Sequence, residues 1–198
     1  MIMDENTTAL SSLSKDAMPG GRGPVGIATT PRQIVFGDIG MRIDQDGVWH
    51  YRGSPINRRK LVKLFASVLR RDDAGAFWLV TPAEIAPVSV ADAPFMAVDI
   101  SVCGEANHQI VTLHTNIDTS VTINADHPLR LESAAETGEM RPYVTLDGGL
   151  DARLSRAVYY DLVALGVEEK VKDAQIFGIW SAGSFHALAS AEDLETLD

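Results

Sequence analysis

The chain has one cysteine, Cys103, so no disulfide can form within it, and the expected role of the thiol in VDISVCGE is that of a small buried hydrophobe. It has no apolar run of about 18 residues, which excludes a membrane-spanning helix. Its first residues, MIMDENTTALSSLSKDAMPGG, lack the apolar stretch of a secretion signal, so a cytoplasmic location is the expectation. Basic residues are scarce from residue 100 onward, where six face 16 acidic ones and carry the whole net charge of −10. A continuous basic groove for a nucleic-acid polymer is thereby excluded. No Walker loop, HxH, HExxH, CxxC or GxSxG is present.

What is present is ordinary globular material: 198 residues, 45% hydrophobic and 22% charged, enough apolar side chains for a core. Residues 1–32 are rich in Ser, Thr and Gly and include PGGRGPVG, which reads as a flexible lead segment. IVFGDIGMRI and GVWHYR flank Asp44-Gln45-Asp46-Gly47 as the arms of a hairpin, with Trp49 and Tyr51 on one face that is expected to be core. GSPINRRKLVKLFASVLRRD, Gly53 to Asp72, reads as one helix capped by Ser54 or Asn57, with Pro55 at its entrance. Leu61, Val62, Leu64, Phe65, Val68 and Leu69 form its apolar face.

AGAFWLVTP, IAPVSV and PFMAVDI read as strands, with Pro82, Pro87 and Pro94 at strand ends or edges. QIVTLHT, SVTINA, PLRLES and RPYVTL follow as further strands, then GGLDARLSRAVYYDLVALG as a second helix. QIFGIWS and SFHALAS come last, with a short acidic helix in AEDLETLD. An offset of 93 residues brings Leu61, Leu64, Phe65 and Leu69 onto Leu154, Ala157, Val158 and Leu162. The expected fold is α+β: two duplicated units, residues 33–100 and 101–198, each a bent antiparallel sheet or roll with one main helix.

Most motifs that invite chemistry have a plainer reading. DQDG is a turn, because an EF-hand loop starting at Asp44 would need a Glu at its twelfth position, which is Pro55. His50, His108, His114, His127 and His186 are scattered without metal-ligand spacing. Ser181 in WSAGS lacks the nucleophile elbow, so neither catalytic residues nor a cofactor or metal is expected.

The cations of the first helix are different. Arg58, Arg59 and Lys60 open it at an end that already carries about half a positive charge. On a helical wheel Arg58 falls with Val62, Phe65 and Leu69, so it is expected to turn inward and meet either a carboxylate of the acidic half or a bound anion. Arg156 and Tyr160 form an i, i+4 pair on the second helix, with Arg153 on a neighbouring stripe. They offer a fork to phosphate and a ring to a base, or an ordinary stacked pair. Candidate ligand contacts are therefore Arg58, Arg71, Tyr51, Arg153, Arg156 and Tyr160.

GDIGMRIDQDGVWHYRGSPINRRKLVKLFASVLRRDDAGAFWLVTP, VADAPFMAV, RPYVTLDGGLDARLSRAVYYDLV and IWSAG resemble the bacterial domain of unknown function 1285 family over roughly residues 36–188. A departure is Ile85 in AEI, where the family pattern has a Lys after the Glu. The resemblance implies two α+β domains, the second loosely pleckstrin-homology-like. It also implies a nucleotide-type ligand between the domains and a part in signalling, with no established reaction. The expected function is a non-catalytic, cytoplasmic binder of a small anionic or nucleotide-like ligand at that cleft. A protein-interaction adaptor with a protein partner, and an unrecognised enzyme, stand as alternatives.

Overall fold

The computed structural model describes residues 20–133, 138, 140–171 and 174–190. It divides into two compact units, Met1–Pro94 and Phe95–Asp198. The helix expected in AEDLETLD lies outside the described residues.

In the first unit the strands are β1 (Ile34–Val35), β2 (Met41–Ile43), β3 (Trp49–Tyr51), β4 (Ser54–Pro55), β5 (Leu69–Arg71), β6 (Phe77–Val80) and β7 (Glu84–Val90), with helix α1 (Arg59–Val68) between β4 and β5. The sheet runs β4-β3-β2-β7-β6-β5, with β1 parallel to the start of β7. Asp44 makes the β2–β3 turn as expected. Its carboxylate accepts the N–H of Asp46 at 3.0 Å and of Val48 at 2.9 Å and meets His50 Nε2 at 2.8 Å, while Gly47 supplies φ of 73°.

The helix is shorter than Gly53–Asp72 at both ends. Arg52 (φ 48°) and Gly53 (φ 83°) form a tight turn that pairs Ser54 and Pro55 with Tyr51 and His50, so neither Ser54 nor Asn57 caps the helix. At the other end Leu69, Arg70 and Arg71 are drawn out of the helix to pair with Leu79, Trp78 and Phe77. Phe65, Ala66 and Val68 are buried on the sheet, and the Phe65 ring stacks on Trp49 with centroids 6.2 Å apart. Burying such a side chain contributes about 1.5–3 kcal/mol.

Pro87 lies inside β7 rather than at a strand end. Ile85 O accepts from Phe36 N and Ala91 N donates to Ile43 O, so odd-numbered residues of β7 face β1 and β2. Pro87 falls between Ile85, paired with β1, and Ser89, paired with β2, where no ladder N–H is required.

The described part of the lead segment, residues 20–32, supplies no buried side chain, yet it is tied down through the backbone. Gly20 N donates to Val35 O at 3.0 Å and Asp73 N to Val25 O at 3.0 Å. Asp72 accepts from Val25 N at 3.1 Å. Gly21 is required there because a Cβ would run into the Phe36 backbone carbonyl, and Gly26 because its φ of 75° favours glycine.

In the second unit the strands are β8 (Phe95–Cys103), β9 (Ile110–Thr115), β10 (Ser120–Thr122), β11 (Leu129–Ser133), β12 (Met140–Thr145) and β13 (Asp151–Leu154). Helix α2 (Arg156–Ala164) follows, then β14 (Val167–Val171), β15 (Ala174–Ser181) and β16 (Ser184–Ser190) as a separate three-stranded sheet. The six-stranded sheet runs β10-β9-β8-β13-β12-β11. PFMAVDI therefore opens the second unit instead of closing the first, because β8 pairs in parallel with β13.

The two strand paths are the same: two antiparallel meanders, joined where the first strand of one runs parallel to the last strand of the other. The sheets are thus not wholly antiparallel. The duplication holds in strand order while the offset of helix positions does not. Leu61 lies in α1 but Leu154 in β13, since the helix joins the two meanders in the first unit and follows the second meander in the other.

Candidate functional site

Helix α1 begins at Arg59, with Arg58 as its N-cap at φ −81° and ψ 94°. No side chain caps it and no acid lies in its first turn. Arg58 is exposed, contrary to the expectation that it turns inward, because the wheel assumed a helix already formed at Pro55. The cost of burying an unpaired guanidinium does not arise.

Arg59, Lys60 and Lys63 are exposed too. Arg70 closes the other end of the helix, where its Nη1 donates to Ser67 O at 3.1 Å and Leu69 O at 2.6 Å. Arg71, exposed on β5, stands over the Phe77 ring at 5.7 Å. Tyr51 is half-buried on the face it shares with buried Trp49, and Arg52 lies over its ring at 5.2 Å. Ile85 is fully buried, so no cation is accommodated at that position.

Arg153 lies on β13, not on the helix with Arg156, so it does not form the neighbouring stripe expected beside the Arg156–Tyr160 pair. Ser155 caps α2, accepting from Val158 N at 3.3 Å. Arg156 donates from Nε at 3.0 Å and Nη2 at 2.8 Å to Tyr160 Oη, and its guanidinium stands 5.4 Å from that ring.

Arg153 is opposite Tyr143 on β12, which in turn is opposite Arg130 on β11. Arg130 donates to Asp151 at 2.8 Å, Thr145 Oγ1 at 2.9 Å and Glu132 at 2.7 Å, and covers the Tyr143 ring at 5.3 Å. The hydrogen bond to Asp151 raises its pKa first, against desolvation, with help from Glu132. Sequence reading missed this cluster; the alternation of polar residues in PLRLES, RPYVTL and LDAR was the available signal.

The remaining chemical groups fill structural places. The Ser181 hydroxyl is buried, donates to Ile123 O at 2.6 Å and accepts from Val111 N at 3.0 Å. Gln109 ties the same two sheets by donating to Trp180 O at 2.8 Å and accepting from Ala182 N at 3.0 Å. His114 bridges Ser101 and Ser120, at 2.9 Å each, on the exposed side of β8–β10. Cys103 is exposed at the end of β8, not buried. Among the described residues no group of His, Cys, Asp and Glu could hold a metal, and no helix is long and apolar enough to cross a membrane.

Asp72 is a second hub. Burial pushes its carboxyl up, but bonds from Val25 N, Ala76 N, Trp78 Nε1 and Ala74 N outweigh that and hold its pKa below 3.8.

Residues 30–93 match the family described as domain of unknown function (DUF1285), N-terminal domain, and residues 94–188 match protein of unknown function (DUF1285), C-terminal domain. A crystal structure of a DUF1285 family protein from Silicibacter pomeroyi DSS-3 is similar at 39% identity and a TM-score of 0.77, over 94% of this chain and 97% of that one. Another, from Shewanella baltica OS155, is similar at 29% identity and a TM-score of 0.51, over 63% of this chain and 91% of that one. No curated protein matches.

Proposed function

Since the chain belongs to the DUF1285 family, whose function is unknown, we propose that it is a non-catalytic binding protein of bacterial signal transduction in the cytoplasm, taking a small anionic, nucleotide-like ligand. The observation that carries this reading is the head of α1: an exposed Arg58 at a helix N-terminus with no side-chain cap and no acid in its first turn. Unsatisfied N–H groups and a cation there favour a phosphate or carboxylate. On the second unit Arg153, Arg156 and Tyr160 remain candidate contacts in the same reading. So does the loose pleckstrin-homology likeness of that unit.

The test is thermal unfolding with millimolar pyrophosphate or a mononucleotide. A ligand at a hundred times its Kd stabilises the folded chain by about 2.7 kcal/mol. A melting temperature that neither compound moves defeats the proposal.

A further inference from the structure

On the exposed side of β8–β10 the His114 ring lies between two serines. Its Nε2 is 2.9 Å from Ser101 Oγ and its Nδ1 is 2.9 Å from Ser120 Oγ. Ser101 and Ser120 are exposed, and the ring is half-buried. The strand registers put His114 opposite Ser120 on one side and Asp99 on the other, with Ser101 two residues along from Asp99. Asp99 turns its Oδ1 to the Ile100 N–H at 2.9 Å, so hydroxyls meet the two ring nitrogens. The bridge is not what joins the strands, which already pair through their backbones. A neutral imidazole carries one N–H and one lone pair. In either tautomer, therefore, one serine hydroxyl donates into the ring, which is the geometry of a nucleophile beside its general base.

Backbone directions separate the two serines. Thr115 N donates to Thr119 O and Ile123 N to Val111 O, so the odd-numbered residues of β9 and β10 face each other. The Ser120 N–H therefore points away from β9, at the edge where β10 ends the strand order. Even-numbered residues of β9 turn to β8, as Asn116 N does to Met96 O, so the Ser101 N–H goes into the ladder with Thr112. Of the two, Ser120 has a backbone donor beside its hydroxyl to receive a carbonyl oxygen on which charge develops. We propose that Ser120 is a nucleophile that accepts an acyl group from an activated ester or thioester, with His114 as its general base and Ser101 as the acceptor that sets the imidazole tautomer. Oγ bonds to the acyl carbon while its proton passes to Nδ1. The bond from that carbon to the leaving oxygen or sulfur breaks, the leaving group takes the proton from the imidazolium, and the acyl group stays on Ser120 as an ester. None of these residues belongs to the head of α1, on which the anion reading rests.

In the full-length chain, with Cys103 blocked by iodoacetamide so that its exposed thiol does not compete, p-nitrophenyl acetate should place an acetyl group on Ser120, mapped by mass spectrometry after acid quenching. Ser67 is the internal reference: it is exposed, and its hydroxyl donates to Leu64 O rather than to a ring nitrogen. Ser120 should react about a hundredfold faster than Ser67, the lower end of general-base assistance. His114→Gln, its fold checked by circular dichroism, should remove that advantage. Ser101→Ala should slow the reaction about tenfold, the contribution of one hydrogen bond, and Ser101→Thr should restore it. Equal acetylation of Ser120 and Ser67 in the parent overturns the proposal without any variant. So does acetylation of Ser101 in place of Ser120, which would assign the other tautomer, or a rate unchanged in His114→Gln or in Ser101→Ala, which would leave the Ser120 hydroxyl unassisted.

Discussion

The Ser181 hydroxyl donates to the Ile123 carbonyl at 2.6 Å, joining residues 58 apart in the chain. The same oxygen accepts the Val111 N–H, so one small side chain connects the three-stranded sheet to both β9 and the residue after β10. Ser181→Ala withdraws the side-chain partner of two backbone groups, and a buried group left unpaired costs about 1–3 kcal/mol. A loss on the order of 3 kcal/mol in urea unfolding is expected. A change below about 0.5 kcal/mol would show that the hydroxyl is dispensable.

Asp72 gives a second prediction. Oδ1 accepts from Ala74 and Ala76, Oδ2 from Val25 and the Trp78 indole, so in Asp72→Asn the amide nitrogen must face donors whichever way it turns. The urea midpoint should fall, and the Val25 amide should exchange faster. With the folded pKa depressed, the carboxylate stabilises the fold above its ordinary value of 3.8 and loses that effect as pH falls through the folded value. The variant should therefore show a flatter acid limb than the parent, and an unchanged limb would remove Asp72 from the account.

His186 acts at a higher pH. It is buried on β16 with Nε2 unpartnered, and burial lowers its pKa below 6.5, against the raising effect of its bond to the Ser181 backbone. The folded chain thus binds this proton less readily than the unfolded chain. Stability should be flat in this group above pH 6.5 and decline as pH falls below it. Urea midpoints between pH 7 and pH 5 should fall less steeply in His186→Leu than in the parent. Parallel slopes would assign the decline to other groups.

Arg58→Ala should change stability by no more than about 0.5 kcal/mol, as for other exposed positions. What it should remove is the response of the melting temperature to pyrophosphate. A large destabilisation would mean that the guanidinium is held by the fold after all.

The apolar face of α1 was legible because Phe65 and Val68 follow the helical period and are buried. Its limits were not, because they are set by pairing across the sheet. Arg52-Gly53 makes a turn usually written Asn-Gly, and Leu69 to Arg71 choose a strand partner over another helical turn. The misplacement of Arg58 followed from that start point. Repetition was legible as an alternation of strands and helices, but the 93-residue offset matched apolar spacings common to any amphipathic helix, and so laid α1 across β13. Of the candidate site, the Arg156–Tyr160 pair could be read from i, i+4 spacing, whereas the Arg130–Tyr143–Arg153 row needed the register of three strands.

The parallel seam in each unit has a consequence for how the chain reaches its native state. Each meander pairs neighbours in sequence, but the seams join Ile43 to Val90 and Ala97 to Leu154, and nothing can reward those contacts until the intervening chain has closed. In each unit the meanders should gain protection from hydrogen exchange first and the seam last. In the first unit that closing step carries α1 along with it, since the helix lies in the connection that must swing round. The cations on its outer side would therefore reach their final positions only when the sheet is complete.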